Sequence, residues 1–161
     1  MKDKKYIEKR PVEKYDRNEA IDKKIASFQN RYMSNSKWIK LFLTLYKNIH
    51  VIKSCKVNDF INPNVIYITT NLQNIEYEKY IHNECIENIL LQNHLDCRDV
   101  CYYKEIEYLE FLKCWNDRPI YRLIAPKIIE QNTAIIKEIV TGAGKFEWEE
   151  NEKYLRILGY K

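Results

Sequence analysis

The chain has 161 residues, 45% hydrophobic and 13% aromatic, which is enough to bury one core and argues against a wholly disordered protein. Its 27 Lys and Arg against 23 Asp and Glu leave a formal charge of +4, but the excess is local. Residues 1–33 hold ten bases and six acids, while residues 34–161 hold seventeen of each. A balanced body argues against the basic stripe of a dedicated nucleic-acid binder, and no apolar run approaches the ~18 residues of a membrane span.

The opening MKDKKYIEKRPVEKYDRNEA lacks the apolar core of a signal peptide. A cytoplasmic location is therefore expected, with no membrane partner, and the five cysteines are expected as thiols. Residues 1–15 show no apolar periodicity and contain Pro11, which predicts a loosely attached arm. From Asp16, the residues Ala20, Ile21, Ile25, Phe28 and Tyr32 recur at helical intervals and predict a thin amphipathic helix. Residues 1–33 are thus expected as a basic arm and helix, and residues 34–161 as a single domain.

SNSKWIKLFLTLYKN follows, with Ser34 or Asn35 placed to cap and Trp38, Leu41, Phe42, Leu45 and Tyr46 forming a wide apolar stripe. IHVIKSCKV (49–57) and VIYITT (65–70) are β-branched runs separated by Asn62-Pro63-Asn64, which predicts two strands in a hairpin. NIEYEKYIH (74–82) alternates as a third strand would, whereas NECIENILLQNH (83–94) sets Cys85, Ile86, Ile89 and Leu90 at helical spacing. Residues 102–111 read as a strand with Ile106 and Tyr108 inward, 115–119 as a turn, and 120–124 as another short strand. Pro126 and the isoleucines that follow predict a helix over 127–141, stopped by Gly142-Ala143-Gly144. KFEWEENEKYLRILGY predicts a closing hairpin.

Two of these stretches, NSKW (Asn35 to Trp38) and YKEIEYLE (Tyr103 to Glu110), resemble an uncharacterised bacterial domain family. Its members open with an Asn-x-x-Lys-Trp helix and carry a Tyr-Lys-x-Ile-Glu-Trp-Leu-Glu strand. Tyr108 stands where that family tends to have Trp, and the closing Gly159-Tyr160 is similar to the family's end. The resemblance implies a fold and transfers no catalytic residue.

The chemical pattern that stands out is HNEC and HLDC: His82 with Cys85, and His94 with Cys97. Imidazole and thiolate are zinc ligands, so these four residues are the candidate metal set. The tight Cys-x-x-Cys knuckles of common zinc modules are absent from the sequence, and the main expectation is that no cofactor is bound. Glu105 and Glu107 would share one strand face, where acid/base chemistry requires one of them to be buried. The commoner role is a solvated face. Gly142-Ala143-Gly144 follows a helix instead of opening one, so it is not a phosphate loop.

The expected architecture is α+β: an antiparallel sheet of about five or six strands with a helix packed on one face, plus two N-terminal helices. With no catalytic residue marked and 13 tyrosines among the aromatics, the expected function is a non-enzymatic protein-interaction module of the bacterial immunity or accessory type. Its partner-facing residues are expected to be Glu105, Glu107, Trp115 and Trp148. The alternatives are nucleic-acid association through residues 1–33 and a small zinc-stabilised domain.

Overall fold

The computed structural model describes residues 17–60, 65–92, 100–117 and 125–161. Helix α1 spans Arg17–Ala26 and α2 spans Asn35–Lys47. The Lys37 N–H donates to Ser34 Oγ at 3.3 Å, so Ser34 satisfies an orphan donor of the first turn. Trp38, Leu41, Phe42, Leu45 and Tyr46 are all buried along one side of α2, as their spacing predicts. The expected strand from residue 49 starts late. Asn48 bonds back to Thr44 and Leu45, and a 3-10 turn at Ile49–Val51 closes the helix before β1 begins at Lys56–Asp59.

β1 pairs antiparallel with β2 (Ile66–Ile68), as expected of a hairpin, and the expected turn at Asn62-Pro63-Asn64 lies outside the described residues. The next stretch inverts the sequence reading. Tyr77–Tyr80 is a 3-10 turn instead of a strand, and the expected helix is β3 (Cys85–Glu87), a 3-10 turn at Asn88–Leu90 and β4 (Leu91–Gln92). Pairing decides it. The Thr69 N–H and the Tyr46 hydroxyl both donate to Leu90 O, and β3 lies against β5 (Val100–Tyr102), so tertiary bonds outweigh a weak helical pattern.

β6 runs Ile106–Leu112, preceded by a 3-10 turn at Tyr103–Glu105. β7 (Cys114–Asp117) occupies much of the expected turn and pairs with β8 (Lys127–Glu130), which occupies the expected first turn of the helix. Residues 118–124, including the expected strand at 120–124, lie outside the described residues. Helix α3 starts only at Thr133 and runs to Ala143, because Asn132 Oδ1 accepts the Ala134 and Ile135 N–H groups. Trp148–Glu150 (β9) and Tyr154–Leu158 (β10) form the closing hairpin.

The main sheet is antiparallel with order β4-β2-β1-β6-β10-β9. Val57, Ile66, Ile68, Leu109, Phe111, Leu155 and Ile157 project from one face and meet Trp38 through Tyr46 of α2 and Ile136 and Val140 of α3. The fold is α+β with an antiparallel sheet, as expected. Rings of Trp38, Phe42 and Tyr103 follow each other at 5.9 Å between centroids. Gly159 lies under Trp38 because a Cβ there would stand 2.5 Å from Ile106 O and 2.9 Å from Trp38 Cζ2.

A bulge corrects the expected faces of β6. The register runs Asn58 with Tyr108 but Asp59 with Ile106, leaving Glu107 as the extra residue. Ile106 therefore faces the core, whereas Tyr108 turns to the opposite face and is half-buried.

Candidate functional site

The sheet face opposite α2 and α3 carries a row of side chains that strand register alone assembles. Tyr67 lies opposite Lys56, Lys56 opposite Glu110, Glu110 opposite Arg156, and Arg156 opposite Glu149, spanning five strands. Charges alternate along it.

Arg156 anchors the row. Its Nε and Nη2 reach Glu110 Oε2 at 2.7 and 2.6 Å, and Nη1 reaches Glu149 Oε1 at 3.1 Å. The guanidinium lies 4.2 Å from the Tyr108 ring centroid and 3.8 Å from that of Tyr154, so it is clamped between two aromatic faces. The Tyr154 hydroxyl donates to Glu149 Oε1 at 2.7 Å. Burial pushes the Tyr108 hydroxyl above its ordinary pKa, and the bond to Glu149 does the same for Tyr154. Both phenols stay protonated at neutral pH. The result is a rigid amphipathic patch, with Tyr67 exposed at its edge.

The expected partner-facing residues are placed differently. Glu105 has no exposed surface, so the expectation of a wet face is corrected there. The 3-10 turn folds it inward, and its carbonyl accepts the Phe60 N–H. Glu107 is half-buried on the outer face, where its Oε2 accepts from Asn58 Nδ2 at 3.1 Å. Trp115 is half-buried on β7 opposite Ile129. Trp148 packs against the core edge on β9, with Lys137 Nζ 5.9 Å from its ring centroid.

His94 and Cys97 of the candidate zinc set lie outside the described residues. His82 is exposed and its Nε2 meets Glu87 Oε1 at 2.5 Å. Cys85 is half-buried, and burial together with Glu87 and Glu84 pushes its thiol up. Among the described residues, the structure brings together a different set. Asp59, Cys101 and Glu105 are buried with donor atoms within 4.8 Å of one another, a carboxylate-thiol-carboxylate group of the kind that could hold a divalent ion. Each of the three already takes part in an interaction within the protein.

The sequence reading missed Arg156 and Glu110. The alternation in KYLRILGY places Tyr154 and Arg156 on one face and Leu155 and Ile157 on the other. The partner of Arg156, however, is 46 residues away and is fixed by register. Gln131 was missed as well, and it ties the start of α3 to the segment before β1 and to the end of β6. Comparison of the chain with protein-family models, with curated proteins and with solved structures finds no match.

Proposed function

We propose that this chain is a non-enzymatic protein-interaction module, of the kind used by bacterial immunity and accessory proteins, and that it binds one protein partner on the outer sheet face. The observation that carries this reading is the clamp of Arg156 between Tyr108 and Tyr154, with Tyr67 exposed in the same cross-strand row. Tyr and Arg are enriched among the few residues that dominate binding energy at protein interfaces. Here hydrogen bonds already fix the side chains on strands, so little ordering entropy opposes association.

The test is a photo-cross-linking residue at position 67 in the producing cell, with position 135 on α3 as an equally exposed control. One discrete adduct from position 67, weakened by Lys56→Glu, is the expected result. Equal yields from both positions, or no adduct from 67, would refute it.

A second reading is nucleic-acid association through residues 1–33, which hold ten bases against six acids, and α2, next in the chain, adds exposed bases. Lys37, Lys40 and Lys47 are exposed on it, and the helix contains no acid. Steep salt-dependent polynucleotide binding that is lost on deleting residues 1–33 would support this reading, and no binding at low salt would remove it.

A further inference from the structure

Away from the sheet face, a cavity of about 410 Å3 opens between α1 and the β3–β5 ribbon. Its walls come from three separate parts of the chain. Asp22 and Ile25 lie one turn apart on α1, Arg31 sits on the link to α2, and Glu84, Tyr102 and Lys104 flank the ribbon. The ribbon register fixes the far wall. Cys85 pairs with Tyr102, and the Tyr103 N–H donates to Glu84 O at 2.9 Å, so Glu84 and Tyr102 are held side by side. Cys101 turns inward, and alternation therefore turns Tyr102 out toward the cavity. Arg31 is oriented by its Nε, which donates to Met33 O at 3.0 Å, and by the backbone bridge between Arg31 and Tyr160.

The charges lining this space are two acids and two bases, and none of the four forms an ion pair among the described residues. Elsewhere on the molecule opposite charges within reach do pair, as Glu150 does with Lys113 and Lys137. A simple anion entering the cavity would be drawn to Arg31 and Lys104 but repelled by Asp22 and Glu84, and a simple cation would meet the reverse. A molecule carrying both charges satisfies all four. The remaining lining is apolar Ile25, aromatic Tyr102 and the Asn35 amide at the start of α2, and the volume falls within the ~300–1,000 Å3 of small-molecule sites.

We propose that this cavity is a binding site for a small zwitterion with an apolar side chain, a free α-amino acid or a dipeptide. The carboxylate is held by Arg31 and Lys104, the ammonium by Asp22 and Glu84, and the side chain rests against Ile25 and Tyr102. Because the charged walls are partly in solvent, affinity is modest, with a Kd on the order of 1 mM.

The experiment is an amide-resolved NMR titration of the full chain with L-leucine, leucyl-leucine, N-acetyl-leucine and leucinamide. Saturable shifts at Arg31, Glu84 and Tyr102 are expected with L-leucine or leucyl-leucine, and whichever binds more tightly identifies the source. Each blocked compound loses one charge and is expected to bind about tenfold more weakly, as is L-leucine to the Arg31→Gln and Glu84→Gln variants, whose spectra stay unchanged away from residues 31–33 and the β3–β5 ribbon. The proposal is overturned if neither zwitterion gives saturable shifts up to about 20 mM, if the blocked compounds bind as well, or if folded Arg31→Gln and Glu84→Gln bind as well as the parent chain.

Discussion

Gln131 is the most exacting test of how the elements are joined. The residue is 5% exposed, and its side chain makes four hydrogen bonds to backbone groups of the segment before β1 and of β6. Oε1 accepts from Lys53 N at 2.7 Å and Ser54 N at 3.0 Å, while Nε2 donates to Ser54 O and Leu112 O, both at 3.0 Å. At a net ~1 kcal/mol per bond, Gln131→Ala forfeits about 4 kcal/mol, and water entering the gap returns part of it, leaving ~3 kcal/mol. With a urea slope of ~2 kcal/mol/M, the midpoint of unfolding falls by about 1.5 M.

Gln131→Glu sharpens the test. It keeps an acceptor for the two N–H groups but turns an oxygen toward two carbonyls, which holds the new carboxyl above its ordinary pKa. The neutral acid can still donate, so the penalty is smallest below about pH 4 and grows as pH rises from the ordinary carboxyl pKa toward the raised folded-state one. Urea unfolding followed by tryptophan fluorescence at several pH values reads both effects. A loss below about 1 kcal/mol for Gln131→Ala, or a pH-independent Gln131→Glu, would refute the network.

Four further outcomes are expected. Gly159→Ala forces backbone away from Ile106 O, 2.5 Å from the new Cβ, and costs about 2 kcal/mol in a thermal melt followed by circular dichroism. Arg156→Ala leaves Glu110, only 8% exposed, without its guanidinium and costs about 2–3 kcal/mol, and Arg156→Lys recovers little because an ammonium cannot bridge two carboxylates while stacking on two rings. The hydrogen bonds from Lys113 and Lys137 lower Glu150 from an ordinary 4.5 to about 2. Its stabilisation is therefore full above pH 4.5 and is lost as pH falls through about 2; solvent screening keeps it below ~1 kcal/mol, and an NMR titration should show Lys137→Gln raising that pKa. Thiol labelling mapped by mass spectrometry should mark exposed Cys114 before buried Cys55 and Cys101, whereas fast labelling of Cys55 would contradict the packing.

Elements whose signal is local were legible in the sequence. Ser34 and the apolar stripe from Trp38 to Tyr46 specify α2 without outside help, and the alternation around Asn151 specifies the closing hairpin, because caps and periodicity act within a few residues. The same local logic failed where distant bonds compete with it. Residues 83–94 show helical spacing, yet Leu90 O is taken by Thr69 and Tyr46, and residues 85–92 become strand and turn. Residues 127–130 look like the first turn of a helix, yet β7 pairs with them, and α3 begins only where Asn132 caps it.

For the sites the division is sharper still. Sequence alone determined the class of fold, the inventory of tyrosines and acids, and the alternation that puts Arg156 opposite in facing to Leu155 and Ile157. Tertiary structure decided which of them meet. One bulge opposite Asn58 and Asp59 moves Tyr108 to the outer face while Ile106 stays in the core, and the preceding 3-10 turn buries Glu105. Since strand side chains alternate with a period of two, a single extra residue exchanges every facing beyond it, and no composition or spacing reveals that residue before the strands are paired.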